Sequence, residues 1–275
     1  MKVSIVTVSF NQVQFLERAI LSVLNQDYQD IEYIVVDPGS TDGSRDVIER
    51  YRDRIDRIVF KPDSGAAEGL NNGMEGATGE ILGFLNSDDV LMPGAITRIV
   101  CAFRDNPGID LSTGHAYIID AKSHRLRKSY TDRFHLQAFA YEACLICQQS
   151  TFFRADLFRK VGGFNEQNRI AWDAELFLNL LSSSDQYVVL DDFLSAFRLH
   201  SEAITGGVKL RALAVDFERA KFHRIMGRRW RSWDVAIRWL YILRKYALEP
   251  RSLVQRLRYG SIYDLIERLP KSITP

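Results

Sequence analysis

The chain has 275 residues, 46% hydrophobic and 26% charged, with a net charge of +1. That composition excludes a disordered or collagen-like chain and suits one large α/β domain, or one domain with an appendage. Cys101, Cys144 and Cys147 are the only cysteines, an odd and small set that excludes a disulfide framework, and no apolar run reaches the roughly 18–20 residues of a membrane span.

Cys144-Leu-Ile-Cys147 has metal-ligand spacing but lacks a second pair to complete a zinc site. The opening Met-Lys-Val-Ser-Ile-Val reads as a strand rather than a signal peptide. The expectation is a cytoplasmic protein, soluble or peripheral on the cytoplasmic membrane face.

In chain order, Lys2 to Val8 is β-branched and apolar, a buried strand. Asn11 can start a helix on which Val13, Leu16, Ile20, Val23 and Leu24 share a face. Ile31 to Asp37 is a second strand, followed by the turn-rich Pro38-Gly-Ser-Thr-Asp-Gly43 and a helix from Ser44 to about Tyr51. Ile58 to Phe60 is a short strand, and Ala66 to about Glu75 a helix interrupted by Gly69 and Gly73. Ile81 to Leu85 is an apolar strand running into Asn86-Ser-Asp-Asp89, and a helix follows from Pro93 to about Arg104. Strands alternating with helices give a parallel sheet with right-handed crossovers, whose ligands bind beyond the carboxyl ends of the strands. That rule collects Ser9 to Asn11, Asp37, Asp63 and Asn86 to Asp89 along one crevice.

Two adjacent carboxylates at the end of a buried strand need a reason. One is a divalent cation, since Mg²⁺ or Mn²⁺ is held by one or two carboxylates while bound phosphate supplies further ligands. The other is a cap on the helix that follows. Asp37 likewise reads two ways, as an acceptor for a nucleobase N–H or as the opener of an Asx-turn into Pro38-Gly39.

Past residue 108 the pattern changes. Ile109 to Ile119 and Leu126 to Tyr130 form an expected extended pair, Gln148 to Phe153 a strand, and Asp156 to Val161 a short helix ended by Gly162-Gly163. Ala171 to Leu181 is a helix; Tyr187 to Leu190 and Phe193 to Leu199 are strands. From Gly206 to Pro275 there are 16 Lys/Arg against 6 Asp/Glu, a net of +10, which leaves −9 on the first 205 residues. Val208 to Met226 and Trp233 to Leu248 read as helices in which Trp230, Trp233, Trp239 and Tyr241 lie among arginines. Basic plus aromatic at helical spacing fits an anionic membrane surface. The alternatives are packing on the acidic part of the chain or a homodimer contact; nothing base-reading accompanies the charge, so nucleic acid is not expected.

The ordered blocks carry a resemblance. Val3-Ser-Ile-Val-Thr-Val-Ser-Phe-Asn-Gln12, Leu16 to Gln26, Ile34-Val-Val-Asp-Pro-Gly-Ser-Thr-Asp-Gly-Ser44, Pro62-Asp-Ser-Gly65 with Gly69-Leu-Asn-Asn-Gly73, and Ala77 to Asp89 resemble glycosyltransferase family 2. So do Gln149-Ser-Thr-Phe-Phe-Arg154, Val161-Gly-Gly-Phe-Asn-Glu166, Ala171-Trp-Asp-Ala-Glu-Leu-Phe-Leu178 and Phe197-Arg-Leu-His200. The resemblance covers roughly residues 1–205. It implies a GT-A fold, a mostly parallel nucleotide-binding sheet flanked by helices. It also implies inverting sugar transfer from a nucleotide diphosphate sugar, UDP-linked by expectation, to a glycan or lipid-linked acceptor, with Mn²⁺ or Mg²⁺. Residues 1–108 would form the nucleotide-sugar half and 109–205 the acceptor half, with 206–275 a basic amphipathic helical extension. Carried over residue by residue, Asp37 would contact the base, with Thr7 and Ser9 lining its pocket and Asp63 on the nucleotide side. Asp88 would be the principal metal ligand, with Asp89 its helper and His200 near the metal and diphosphate. Asp173 would be the general base and Glu175 its fallback; Gln148, Gln149 and Ser150 would line the acceptor side. Asn86 departs from the family pattern, standing where an Asp is common, so metal affinity would rest more on Asp88.

Two rivals remain at this point. A nucleotidyltransferase shares an acidic metal site but needs a Gly/Arg/Lys-rich first loop, which Ser9-Phe-Asn-Gln12 does not supply. A non-catalytic nucleotide-sugar-binding scaffold is favoured by Asn86 and disfavoured by the presence of both Asp88 and Asp173.

Overall fold

The computed structural model describes residues 1–200, 208–261 and 264–265. By internal contacts the chain forms two compact units, one of residues 1–116 and 147–197, the other of 117–146 and 198–275. Among the described residues a nine-stranded sheet runs in the order Arg57–Val59, Ile31–Val36, Val3–Val8, Ile81–Asn86, Thr151–Arg154, Leu111–Ile119, Tyr187–Arg198, Val90–Leu91, with Arg125–Ser129 added on Leu111–Ile119.

In the first unit, β1 (Val3–Val8), β2 (Ile31–Val36), β3 (Arg57–Val59) and β4 (Ile81–Asn86) are parallel neighbours. β1, β2 and β4 read as largely apolar runs because both faces are covered. On one face, Val3, Ile5, Tyr33, Val35, Ile81 and Leu85 pack under helices α1 (Val13–Leu24), α2 (Ser44–Arg50) and α4 (Ala95–Asp105). On the other lies α3 (Ala66–Met74), which is unbroken. Gly69 and Gly73 are contact points rather than interruptions: a Cβ on Gly73 would strike Val6 and come within 2.9 Å of Val36 Cγ2.

The helix expected from Pro93 begins at Ala95, with Gly94 in the left-handed conformation at its N-cap. Between it and Asp89 stands the two-residue strand β5 (Val90–Leu91), which pairs antiparallel with β9 (Tyr187–Arg198). Asp89 therefore does not cap that helix. β9 is one strand of 12 residues where two were expected. β8 (Thr151–Arg154) follows a single 3-10 turn over Gln148–Ser150 and joins β4 to β6 (Leu111–Ile119), antiparallel to both. α6 (Ala155–Lys160) and α7 (Trp172–Ser183) complete the unit. α7 is seated by an aromatic cluster in which Trp172 meets Phe84 of β4 at 5.6 Å between ring centroids and Phe164 at 5.6 Å.

The second unit contains the end of β6, β7 (Arg125–Ser129), α5 (Leu136–Ala140), α8 (Val208–Met226), α9 (Asp234–Leu248) and α10 (Pro250–Tyr259). The two units divide the chain at 116/117, 146/147 and 197/198. Residues 117–146 fall with the C-terminal helices because Ala140 and Tyr141 are buried against Phe222, with Ile225, Met226, Ile237 and Tyr241 around them. The Tyr141 hydroxyl donates to Asp234 at 2.7 Å, and Arg228 grips the same carboxylate with two bonds of 2.6 Å.

Candidate active site

Strand register builds the site. Val8 lies opposite Val36 on one side and Asn86 on the other, so Ser9, Asp37 and Ser87 follow abreast at the carboxyl ends of three adjacent strands. Neighbouring strands are about 4.8 Å apart, so the row spans about 10 Å. The loops behind it are tied together across the sequence. Ser40 Oγ accepts from the Asn11 N–H (2.8 Å), Asn11 Oδ1 from Thr41 N–H (2.9 Å), and Asp42 from the first helical N–H groups Val13 (2.9 Å) and Ser44 (2.9 Å). α1 thus begins at Val13 instead of Asn11, capped by a carboxylate 29 residues away.

Asp37 is fully buried. Its Oδ1 accepts from the Gly39 and Ser40 N–H groups (3.0 and 2.8 Å) and from Arg45 Nε (3.1 Å). The Asx-turn expected as an alternative therefore exists, but it uses one oxygen. Among the described residues Oδ2 is buried without a hydrogen-bond partner, as is Ser9 Oγ beside it in the row. An unsatisfied buried acceptor costs about 1–3 kcal/mol, so such an atom marks a place for a ligand donor. Arg45, which sequence reasoning missed, also stacks over Phe60 at 4.4 Å.

Asp63 stands in the same neighbourhood. Burial pushes its carboxyl above the ordinary aspartate range, the Gly65 N–H (3.0 Å) pulls it down, the Glu68 and Asp37 carboxylates push it up further, and Arg169 opposes them. Gly69 of α3 lies directly on this carboxylate, since a Cβ there would sit 2.6 Å from Asp63 Oδ2. Thr7 faces the opposite way. It is buried in the core, and its hydroxyl accepts from Tyr33 at 3.0 Å.

The Asn86–Asp89 turn is held from β8's side. Gln149 Nε2 donates to Asp89 Oδ2 (2.8 Å), Gln148 Nε2 donates to the Phe84 carbonyl (3.0 Å), and Asn86 Nδ2 reaches Gln148 Oε1 at 3.4 Å. These two glutamines, expected on the acceptor side, bind the turn. Asp89 is fully buried and Asp88 half-buried, so Asp88 is the carboxylate of the pair that a ligand can reach. His200 is buried and belongs to the second unit. Among the described residues no three His, Cys, Asp or Glu side chains cluster as a metal cage. One half-buried carboxylate still suits Mg²⁺ or Mn²⁺ where a bound diphosphate supplies further oxygens.

Asp173 lies in the first turn of α7, one residue after the Trp172 that packs on Phe84. Burial pushes its carboxyl up from the usual range, against the Ala174 N–H that donates to its Oδ1 at 2.8 Å. Glu175, the fallback base, is occupied: it accepts from Asn165 Nδ2 (3.1 Å to each oxygen) and Asn168 Nδ2 (2.7 Å).

Comparison with known proteins places the chain's family and fold. The profile of the family "Glycosyl transferase family 2" matches residues 4–162. An uncharacterized glycosyltransferase of Nostoc sp. is 38% identical over 134 residues, 48% of this chain and 41% of the relative. The GalNAc(5)-diNAcBac-PP-undecaprenol beta-1,3-glucosyltransferase of Campylobacter jejuni is 36% identical over 103 residues, 36% of this chain and 33% of the relative. The chain thus spans less than half the length of either relative. Among solved structures, S. aureus TarS 1-349 in complex with UDP-GlcNAc superposes with a TM-score of 0.65 at 16% identity, over 96% of this chain and 78% of that one. The mannosyltransferase PcManGT from Pyrobaculum calidifontis, in complex with GDP-Man and Mn2+, gives 0.63 at 17% identity, over 96% and 77%. These likenesses show a GT-A-type fold. Since the matched profile covers more than half of its length, the chain belongs to glycosyltransferase family 2.

Proposed function

We propose that this chain transfers a sugar, with inversion, from a nucleotide diphosphate sugar to a hydroxyl of a glycan or lipid-linked acceptor. The observation that carries the reading is the buried, unpartnered Oδ2 of Asp37 at the end of β2. A buried acceptor without a partner calls for one N–H donor, and the imide N–H of uracil meets that need, which favours a UDP-linked donor. Ser9 Oγ offers a second polar contact beside it. Arg45 orients the Asp37 carboxylate by donating to its Oδ1.

Asp88 is the residue to hold a divalent cation together with the donor diphosphate, and that ion supplies charge stabilisation at the departing phosphate. Asp173 is the base. The acceptor oxygen attacks the anomeric carbon and forms the new C–O bond. Its proton passes to the Asp173 carboxylate, and the bond to the diphosphate breaks with its electron pair on the phosphate oxygen. A carboxylate raised by burial is a better base than an ordinary one. The lipid-linked alternative for the acceptor is supported by the Campylobacter relative, whose name carries an undecaprenol diphosphate.

Two variants test the reading together. Asp173→Asn retains UDP affinity and loses transfer by about 10²–10⁴-fold, the usual worth of a general base. Asp88→Ala abolishes the difference in UDP affinity measured with Mn²⁺ and with EDTA. Normal turnover in the first, or an unchanged metal effect in the second, removes that residue from its role. Metal-dependent UDP binding with no turnover on any donor, in the native chain and in Asp173→Asn alike, would instead indicate a scaffold, the alternative that Asn86 favours.

A further inference from the structure

One face of α9 is packed and the other is bare. Asp234, Ile237, Tyr241 and Lys245 turn inward, where Lys245 pairs with Asp132 at 2.8 Å and Tyr241 stacks on Tyr141. The opposite face carries Val235, Ala236, Trp239, Leu240, Leu243 and Ala247, all exposed, with Trp239 60%, Leu240 64% and Leu243 62% open to solvent. These positions recur at intervals of three and four, so they form one continuous apolar stripe about 140° wide. It contains no charged residue. On α10, Val254 and Leu257 are exposed as well, the latter at 78%.

The border of this surface is basic. Residues 228–261 hold nine Lys/Arg and two Asp/Glu. Both acidic side chains are already paired, Asp234 with Arg228 and Glu249 with Arg251. Arg244, Arg256 and Arg258 are exposed beside the apolar residues. No described helix is long and apolar enough to cross a membrane. An uncharged apolar stripe edged by cations, with Trp239 on it and Trp233 at its start, has the composition of a helix lying in the plane of an anionic lipid surface.

We infer that α9, assisted by α10, docks this protein on an anionic membrane, with Trp239, Leu240 and Leu243 in the acyl boundary and the flanking arginines on the headgroups. Charge decides against the competing occupants. A second copy bringing the same face would set arginine against arginine. A nucleic acid offers the stripe no apolar partner. Each Lys or Arg near an anionic surface is worth about fivefold in partitioning. This inference does not rest on the proposed reaction; it concerns a surface remote in the sequence from Asp37, Asp88 and Asp173.

The test is sedimentation of the full chain with vesicles of phosphatidylcholine, and of phosphatidylcholine with an equal share of phosphatidylglycerol. Tryptophan emission is followed in the same samples. The expected result is binding to the mixed vesicles only, with a blue shift. Trp239→Glu and Leu243→Glu should each lower binding at least about tenfold, because a charge then has to enter the acyl boundary. Arg244→Glu with Arg258→Glu should lower it by a similar factor through charge alone. UDP-induced thermal shift, measured in every variant, reports the fold and the donor site separately. Absent vesicle binding by the native chain, or variants that bind as the native chain does, would overturn the inference. So would a concentration-dependent dimer in sedimentation equilibrium that the Glu variants disperse, which would assign the stripe to a second copy. A native chain that binds vesicles but shows no UDP shift would sink the functional reading and leave this one standing.

Discussion

Asp173 places opposite demands on stability and catalysis, and both are measurable. Its carboxyl is raised in the folded protein by burial. The folded chain therefore holds a proton at pH values where the unfolded chain has released it. The sign follows: stability falls as pH rises through the window between the unfolded and folded values, and at neutral pH the ionised side chain is a net cost. Asp173→Asn removes that cost, so its melting temperature should exceed the native one at pH 7, and the gap should close on acidification. Transfer moves the other way. As the proposed base, Asp173 must be ionised, so kcat should fall on acidification, with its midpoint above that of an ordinary aspartate, and Asp173→Asn should lack this limb. A variant that melts lower at pH 7 would contradict the raised carboxyl of Asp173; a native profile without the limb would contradict the base. Asp37, Asp88 and Asp173, the residues of the proposed site, each stand in a local sequence block. Arg45, Gln148 and Gln149 took their roles from elsewhere. The glutamines meet the Asn86–Asp89 turn from about 60 residues away, through the β4–β8 pairing that no local pattern announces. Thr7 was placed in the pocket by its block, but strand alternation turns it to the core face with Val3 and Ile5, where Tyr33 takes its hydroxyl.

At the scale of elements, the parallel half of the sheet was legible because β1, β2 and β4 are largely apolar runs between turn residues. The antiparallel half was less so. β5 has two residues, and β9 continues through Asp191 and Asp192, a polar pair that reads as a break until His115 and Arg98 are seen to bind them at 3.0 Å each. α3 shows the same lesson for glycine. Gly69 and Gly73 weaken a helix in isolation, yet their spacing of four puts both on the face that meets the sheet and Asp63. Gly73→Ala should therefore destabilise the protein despite the better helix propensity of alanine. The added methyl strikes Val6 and Val36 of the packed layer, and overpacking of this kind costs about 1–3 kcal/mol. Alanine at an exposed helical position gains up to about 1 kcal/mol over glycine, so the overpacking dominates. Urea unfolding should show a lower midpoint with an unchanged slope; a higher midpoint would mean that α3 is free to move off the sheet.

For the whole molecule, the charge asymmetry is sharper than the sequence boundary at 205/206 suggested. The unit made of 117–146 and 198–275 carries 22 Lys/Arg against 10 Asp/Glu, a net of +12, which leaves −11 on the unit that holds Asp37, Asp63 and Asp88. A nucleotide diphosphate is itself an anion, so the acidic unit repels the proposed donor at long range unless a cation intervenes. The basic unit attracts an anionic surface. Salt should separate the two. The Debye length shrinks from about 30 Å at 0.01 M to about 8 Å at 0.15 M ionic strength, which screens the repulsion and the attraction alike. In EDTA, UDP affinity should hold or rise over that range of NaCl, because the force removed is unfavourable. Vesicle affinity should fall over the same range, because the force removed is favourable. With Mn²⁺ present the UDP response should flatten if Asp88 holds the cation as proposed, since that charge already offsets the local field. Calorimetric titration of UDP and vesicle sedimentation on one preparation make the comparison. UDP affinity falling in parallel with vesicle affinity would mean that the nucleotide meets the arginines of the basic unit instead of the carboxylate row.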